Sequence, residues 1–130
     1  MIAVDTSALM AVLLGEPESD GLISALEADP DVLISAATFA EALIVAGRRN
    51  VADEMVRLVE DLGLTVVPVT ASVARRVAEA YVAWGKGVHP AGLYFGDCFS
   101  YALARDHDCP LLYVGEDFAG TDLPPRPLGG

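Results

Sequence analysis

Four carboxylates stand where separate elements of this sequence begin or end. Asp5 closes the apolar run at residues 2–4, Glu41 lies within an apolar helical stretch, Asp97 opens another helical segment, and Asp117 follows the last strong apolar run. Acidic side chains are rarely placed against a core without a partner. Four of them in such positions imply a shared metal site. An all-oxygen donor set suits Mg2+ or Mn2+ rather than zinc. Ions of that kind activate water and stabilise the transition state of phosphodiester hydrolysis. Without a cation, mutual repulsion raises the pKa of some members.

Each acid also has a plainer role open to it. Asp5 fits a helix cap and Asp97 a first-turn acid that complements the helix dipole. Asp117 has acidic neighbours in Glu116 and Asp122, as loops often do. Glu41 is harder to explain away, because Phe39, Ala40, Ala42, Leu43 and Ile44 leave it little polar face. Thr6 and Ser7 follow Asp5 directly. They either set a hydroxyl beside a metal or scissile phosphate, or simply shape the turn. Asp122 either completes the site through water or caps a second turn.

Other chemistries find less support. Cys98, Cys109, His89 and His107 are the only cysteines and histidines, and their spacing matches no zinc pattern. Cys98 reads as a small buried thiol, and no disulfide is expected in a cytosolic protein. A glycine-rich nucleotide loop is absent. A small-substrate phosphatase of the phosphoryl-aspartate kind needs a second acid two residues after the first, where Ser7 stands. A metal-binding interaction or regulatory module remains a further alternative.

Composition bounds these readings. The 130 residues fit one domain, and 53% are hydrophobic, which favours a packed core over disorder. The expectation is a single domain over 1–130 with a Pro/Gly-rich tail from about 119. No signal-peptide pattern precedes Asp5 and residues 9–14 are too short to cross a bilayer, so a cytoplasmic, non-membrane protein is expected. The net charge of −11, from 19 acidic and 8 basic residues, repels nucleic acid at long range. Bound cations or a basic partner would offset it.

The elements that must position the acids follow from pattern. Apolar runs at 2–4, 32–34, 64–67 and 111–114 read as strands. Helices are expected at 8–14, from Pro17 to about 28, at 36–49, at 51–62 capped by Asn50, from Thr70 to 84, and at about 96–107. Ser35 reads as a cap and Gly63 as a stop. Residues 85–90 read as a mobile loop. Strands alternating with helices imply a three-layer α/β fold with a mainly parallel sheet. In such sheets ligands bind beyond the carboxyl ends of the strands, where Asp5 and Asp117 fall. Arg48 and Arg49 suit either a helix terminus or an RNA backbone, while Arg75, Arg76 and Lys86 read as solvated.

Taken in order, four segments resemble one family. They are Ile2-Ala3-Val4-Asp5-Thr6-Ser7-Ala8-Leu9, the helix with Glu41, Gly96-Asp97-Cys98-Phe99-Ser100-Tyr101-Ala102-Leu103-Ala104, and Leu112-Tyr113-Val114-Gly115-Glu116-Asp117-Phe118 with Thr121-Asp122. Together they are similar to PIN-domain ribonucleases, and especially to VapC-type toxins of toxin–antitoxin modules. The resemblance implies an endoribonuclease using Mg2+ or Mn2+, with Asp5 and Asp97 as principal metal ligands and Glu41 and Asp117 completing the site. It makes Thr6 or Ser7 the accompanying hydroxyl and Asp122 auxiliary. It further implies a homodimer, an RNA substrate and a cognate antitoxin that covers the cleft. Apolar side chains at Leu9, Leu13, Leu22 and Leu26 are candidates for the dimer or antitoxin surface, or for packing on the sheet. Tyr94 departs from the asparagine that often stands shortly before the glycine-aspartate pair.

Overall fold

A computed structural model describes residues 1–124; the prolines and glycines at 125, 127, 129 and 130 lie outside the described residues. Four parallel strands form the sheet, in the order β3-β2-β1-β4. These are β1 (Ile2–Val4), β2 (Val32–Ser35), β3 (Thr65–Val67) and β4 (Leu111–Leu112). Ala3 lies opposite Leu33 on one side and Leu111 on the other. The helices are α1 (Thr6–Leu13), α2 (Ser19–Ala28), α3 (Ala36–Arg48), α4 (Ala52–Asp61), α5 (Ala71–Trp84) and α6 (Phe95–Asp106).

Period-two alternation divides the strand residues between two cores. Ile2, Val4, Val32, Ile34 and Leu112 pack with Leu9, Leu22, Leu26, Ala42, Ala46 and Met55 from α1–α4. Ala3, Leu33 and Leu111 point the other way, onto Val77, Ala80, Cys98 and Leu103 of α5 and α6. The sheet is therefore covered on both faces, which gives the expected three layers. Among the described residues no helix is long and apolar enough to cross a membrane.

Helix ends repeat one device. After α1, α3, α4 and α6 the chain turns through a left-handed residue: Gly15, Asn50, Gly63 and Asp108. Each time its amide and the next one bond back to the last turn, as in Gly63 N to Glu60 O at 3.0 Å and Leu64 N to Val59 O at 3.1 Å. This is the Schellman closure. Asn50 thus ends α3 (φ 60°) rather than capping α4, whose N-cap is Val51. Pro17 precedes α2 instead of lying in its first turn, because the closure at Gly15 occupies the chain up to Glu16. Ser35 and Thr70 do cap their helices, accepting from Ala37 N and Val73 N at 3.2 Å each.

One strand boundary moves, and two other readings gain detail. Strand β4 stops at Leu112, short of residue 114, because Val114 N donates to Ser7 Oγ (3.0 Å) rather than to the sheet. Residues 85–93 form a stapled turn: Lys86 N bonds Leu93 O, Leu93 N bonds Trp84 O, and Trp84 meets His89 edge-on. Leu9, Leu22 and Leu26 are at most 2% exposed and belong to the core, so they offer no contact surface. Leu13 is half-buried beside them.

Candidate active site

The strand order places the site. From β1 the chain proceeds to β2 and β3 on one side and returns to β4 on the other, so the crevice between the carboxyl ends of β1 and β4 is the switch point. Asp5 leaves β1 into this crevice and Asp117 stands beyond β4.

Asp5 is 4% exposed and N-caps α1. Its Oδ2 accepts from Ser7 N (3.1 Å) and Ser7 Oγ (2.8 Å), and its Oδ1 accepts from Ser100 Oγ (2.6 Å). The capping role and a place in the site are therefore compatible. Ser7 in turn accepts from Val114 N, which ties the segment leading to Asp117 to the start of α1.

Glu41 lies in the second turn of α3, half-buried, and its Oε1 accepts from Thr6 Oγ1 at 2.6 Å. Its Oε2 lies against Gly96, where any Cβ would overlap it. Close approach of the α3 carboxylate to the start of α6 thus requires glycine at 96. Asp97 is the third residue of α6, and its Oδ2 accepts from Tyr94 N at 2.9 Å. This bond uses the backbone of Tyr94, while the phenol is exposed beside Lys86 Nζ (3.4 Å). Asp117 is exposed, just ahead of a short 3-10 turn at Phe118–Gly120.

The four acids feel one another at Asp97. Burial pushes its carboxyl up to about 6, and the charges of Asp5, Asp117 and Glu41 add to the rise against the lowering effect of the Tyr94 amide. Among the described residues, the ion pairs engage other acids: Asp29, Glu54, Asp106 and Asp122. Among the described residues, the cluster is therefore not paired with a cation. As placed, no three His, Cys, Asp or Glu side chains among the described residues stand close enough to hold one ion. The carboxylates that Asp97 senses supply oxygen donors, the kind that a hard divalent ion takes.

Asp122 sits apart from this set. It accepts from Tyr101 Oη at 2.5 Å and lies 3.8 Å from Arg105, while Trp84 Nε1 donates to the same phenol. Arg48 lines a groove of about 440 Å3 with Glu41, Ile44, Phe95 and Phe99. Arg76 is taken up by Asp106 at 2.6 Å. Three positions in contact with the proposed acids or with one another escape a reading by residue type: Gly96, Thr38 and Ser100. Thr38 and Ser100 are 1% and 0% exposed, with their hydroxyls 3.2 Å apart. Each lies three residues from a site acid (Thr38 from Glu41, Ser100 from Asp97) on an otherwise apolar helix face. That spacing was the available signal.

The PIN domain family model matches residues 2–123. Ribonuclease VapC42 of Mycobacterium tuberculosis is 41% identical, with 94% of this chain and 96% of that protein covered. The chain belongs to the VapC family of PIN-domain ribonucleases. Ribonuclease VapC of Mycolicibacterium smegmatis, another member, is 40% identical over 94% of this chain and 97% of its own. The VapC fold is seen in the crystal structure of Mycobacterium tuberculosis VapC20, a toxin that cleaves the sarcin-ricin loop. It matches with a TM-score of 0.77 and 22% identity, covering 98% of this chain and all of that one. A toxin–antitoxin complex from Klebsiella pneumoniae matches at 0.70 and 22%, with 94% and 93% covered.

Proposed function

We propose that Asp5, Glu41, Asp97 and Asp117 form the hydrolytic centre with which this VapC-family ribonuclease cleaves RNA internally, as the toxin of a toxin–antitoxin pair. The observation that carries this reading is the convergence of three carboxylate charges on Asp97, with no cation among the described residues paired to any of the four. A hydrated Mg2+ or Mn2+, held chiefly by Asp5 and Asp97, is the counter-charge the donor set suits. When bound it polarises the phosphate and makes water a stronger nucleophile.

The chain's own groups divide the remaining work. Thr6 and Ser7 each have one proton, and both are spent on carboxylates, Thr6 on Glu41 and Ser7 on Asp5. Neither hydroxyl is free to attack phosphorus, so they orient the acids and water is the nucleophile. Glu41 Oε1 is occupied by Thr6, which leaves Oε2 to accept a proton from that water. Asp122 acts at a distance, by fastening the segment after Asp117 to α6 through Tyr101.

The partners follow from surface character. A basic segment of a cognate antitoxin complements a chain of net charge −11. A second copy of the chain is the occupant proposed for the apolar groove between α5 and α6. Its volume is about 470 Å3, and Val69, Tyr81, Val82, Phe95 and Phe99 line it. This moves the expected contact face away from α1 and α2. Residues 1–130 are taken as one domain, and a cytoplasmic location accords with an RNA substrate.

Cleavage of a mixed cellular RNA pool by the purified, antitoxin-free protein tests the proposal, with Mg2+, with Mn2+ and with chelator. Discrete products that need metal and disappear in Asp97→Asn are expected. Failure of folded, metal-loaded protein to cut any RNA would leave a binding module instead. Equal cutting by the variant would place the site elsewhere.

A further inference from the structure

The buried hydroxyls of Thr38 and Ser100 have no part in the activity so far described, yet they lie directly behind Asp5. A carboxylate only accepts hydrogen bonds, so in the 2.6 Å contact Ser100 Oγ donates to Asp5 Oδ1. With its single proton spent, Ser100 cannot donate to Thr38. The 3.2 Å contact between them therefore runs from Thr38 Oγ1 to Ser100 Oγ. The order is fixed: Thr38 to Ser100 to Asp5. Helix α3 supplies the first hydroxyl, α6 the second, and the end of β1 the acceptor.

The arrangement also distinguishes the two oxygens of Asp5. A carboxylate offers about four lone-pair sites. Oδ2 has two donors, Ser7 N and Ser7 Oγ, whereas Oδ1 has one, Ser100 Oγ. The remaining site is on Oδ1, the oxygen that the relay grips. We infer that Thr38 and Ser100 are positioning residues that hold Asp5 Oδ1 in the orientation needed to ligate the divalent ion. This rests on the metal-site reading proposed above. Partners behind a ligand commonly set its direction and basicity, and their loss weakens metal binding about ten- to a hundredfold.

Calorimetric titration with Mn2+ alone, beside thermal melting in chelator and RNA cleavage across Mn2+ concentrations, tests the relay. Wild type, Ser100→Ala, Thr38→Val and Thr38→Ser are compared, with Asp97→Asn as a control. Ser100→Ala is expected to bind Mn2+ about ten- to a hundredfold more weakly. Thr38→Val should lose several-fold, and Thr38→Ser, which keeps the donor, should return close to wild type. Cleavage should shift to higher Mn2+ and recover at saturation, which a merely destabilised protein would not do. Folded Ser100→Ala with wild-type affinity overturns the inference. If that variant does not fold, equal affinity of Thr38→Val and Thr38→Ser overturns it instead. Wild type that binds no Mn2+ removes the metal-site reading itself and the relay with it, whereas binding lost only in Asp97→Asn removes the relay alone.

Discussion

Asp5 and Asp97 both stand at helix starts on the same edge of the sheet, and they are held in opposite ways. Asp5 is the more deeply buried, and it receives a backbone amide and two hydroxyls. Asp97 receives the single amide of Tyr94 and faces three other carboxylates. Burial is the first cause of the rise at Asp97, the neighbouring charges add to it, and a single amide opposes it. One side of the cleft is set before any ligand arrives, and the other is left with an unmet charge. On the metal-site reading proposed above, Asp5 is the fixed ligand that would define the ion's place and Asp97 the uncompensated one that would attract it.

The largest effect should come from removing the unmet charge. Asp97→Asn is expected to lower cleavage by at least about a thousandfold, the scale found when one member of a group acting as a unit is lost. The amide oxygen can still accept from Tyr94 N, so the start of α6 is kept. The same variant should melt a few degrees higher than wild type in chelator at neutral pH, and the order should reverse with saturating Mn2+. An Asp97→Asn protein that is less stable without metal would mean that the aspartate serves the fold and not the site.

Next in size is a change beside Asp97, where α3 meets the start of α6. Gly96→Ala sets a methyl group against Glu41 Oε2, the far end of a flexible side chain. The fold should survive, because the carboxylate can swing away. Glu41 would then leave Gly96 and strain its bond to Thr6. A displacement on the order of 1 Å can cost about a hundredfold in rate, so a loss of that order with nearly unchanged melting is expected. Full activity in Gly96→Ala would show that Glu41 acts from another position.

The sequence made the framework legible because its signals are local. Alternating apolar runs, the caps at Ser35 and Thr70 and the stop at Gly63 each depend on a few adjacent residues. Errors arose where one residue type serves two local purposes. Asn50 suits a helix cap, but also a left-handed closure, and the preceding helix claimed it. Leu9, Leu22 and Leu26 left two uses open, a docking face or packing on the sheet, and the layer above the sheet took them. The four acids could be singled out by type and position, whereas their spacing in three dimensions could not. Thr38 and Ser100 are 62 residues apart, and only the packing of α3 against α6 joins them. Tyr94, an apparent departure from the family pattern, serves Asp97 through its backbone, which side-chain identity does not report.

A smaller effect concerns pH. Asp97 is raised above its ordinary value to about 6. The folded state therefore holds this proton more tightly than the unfolded chain does. The stability it contributes is present below about pH 4, falls as pH rises toward about 6, and is gone above that. Other acids titrate over the same range, so the informative quantity is the difference between wild type and Asp97→Asn, melted in chelator from pH 4 to 8. That difference should widen in favour of the variant between pH 4 and about 6 and then level off. A flat difference would mean that Asp97 titrates as an ordinary exposed carboxylate.

Asp122 should show the least effect, and for that reason it separates the two sides of the molecule best. Its carboxylate accepts from Tyr101, whose hydroxyl burial and that same bond push up to about 12, so the phenol stays a donor throughout the working range. Asp122→Asn keeps an acceptor oxygen for Tyr101 and gives up the long contact to Arg105, which is exposed and worth little. Stability should change by no more than about 0.5 kcal/mol and cleavage by less than about twofold, since the group that fastens the segment after Asp117 is still there. Tyr101→Phe, which removes the shared hydroxyl, should do more on both counts. A large loss of cleavage in Asp122→Asn alone, with melting unchanged, would mean that the negative charge itself reaches the cleft, and that the unmet side of the site extends past Asp117.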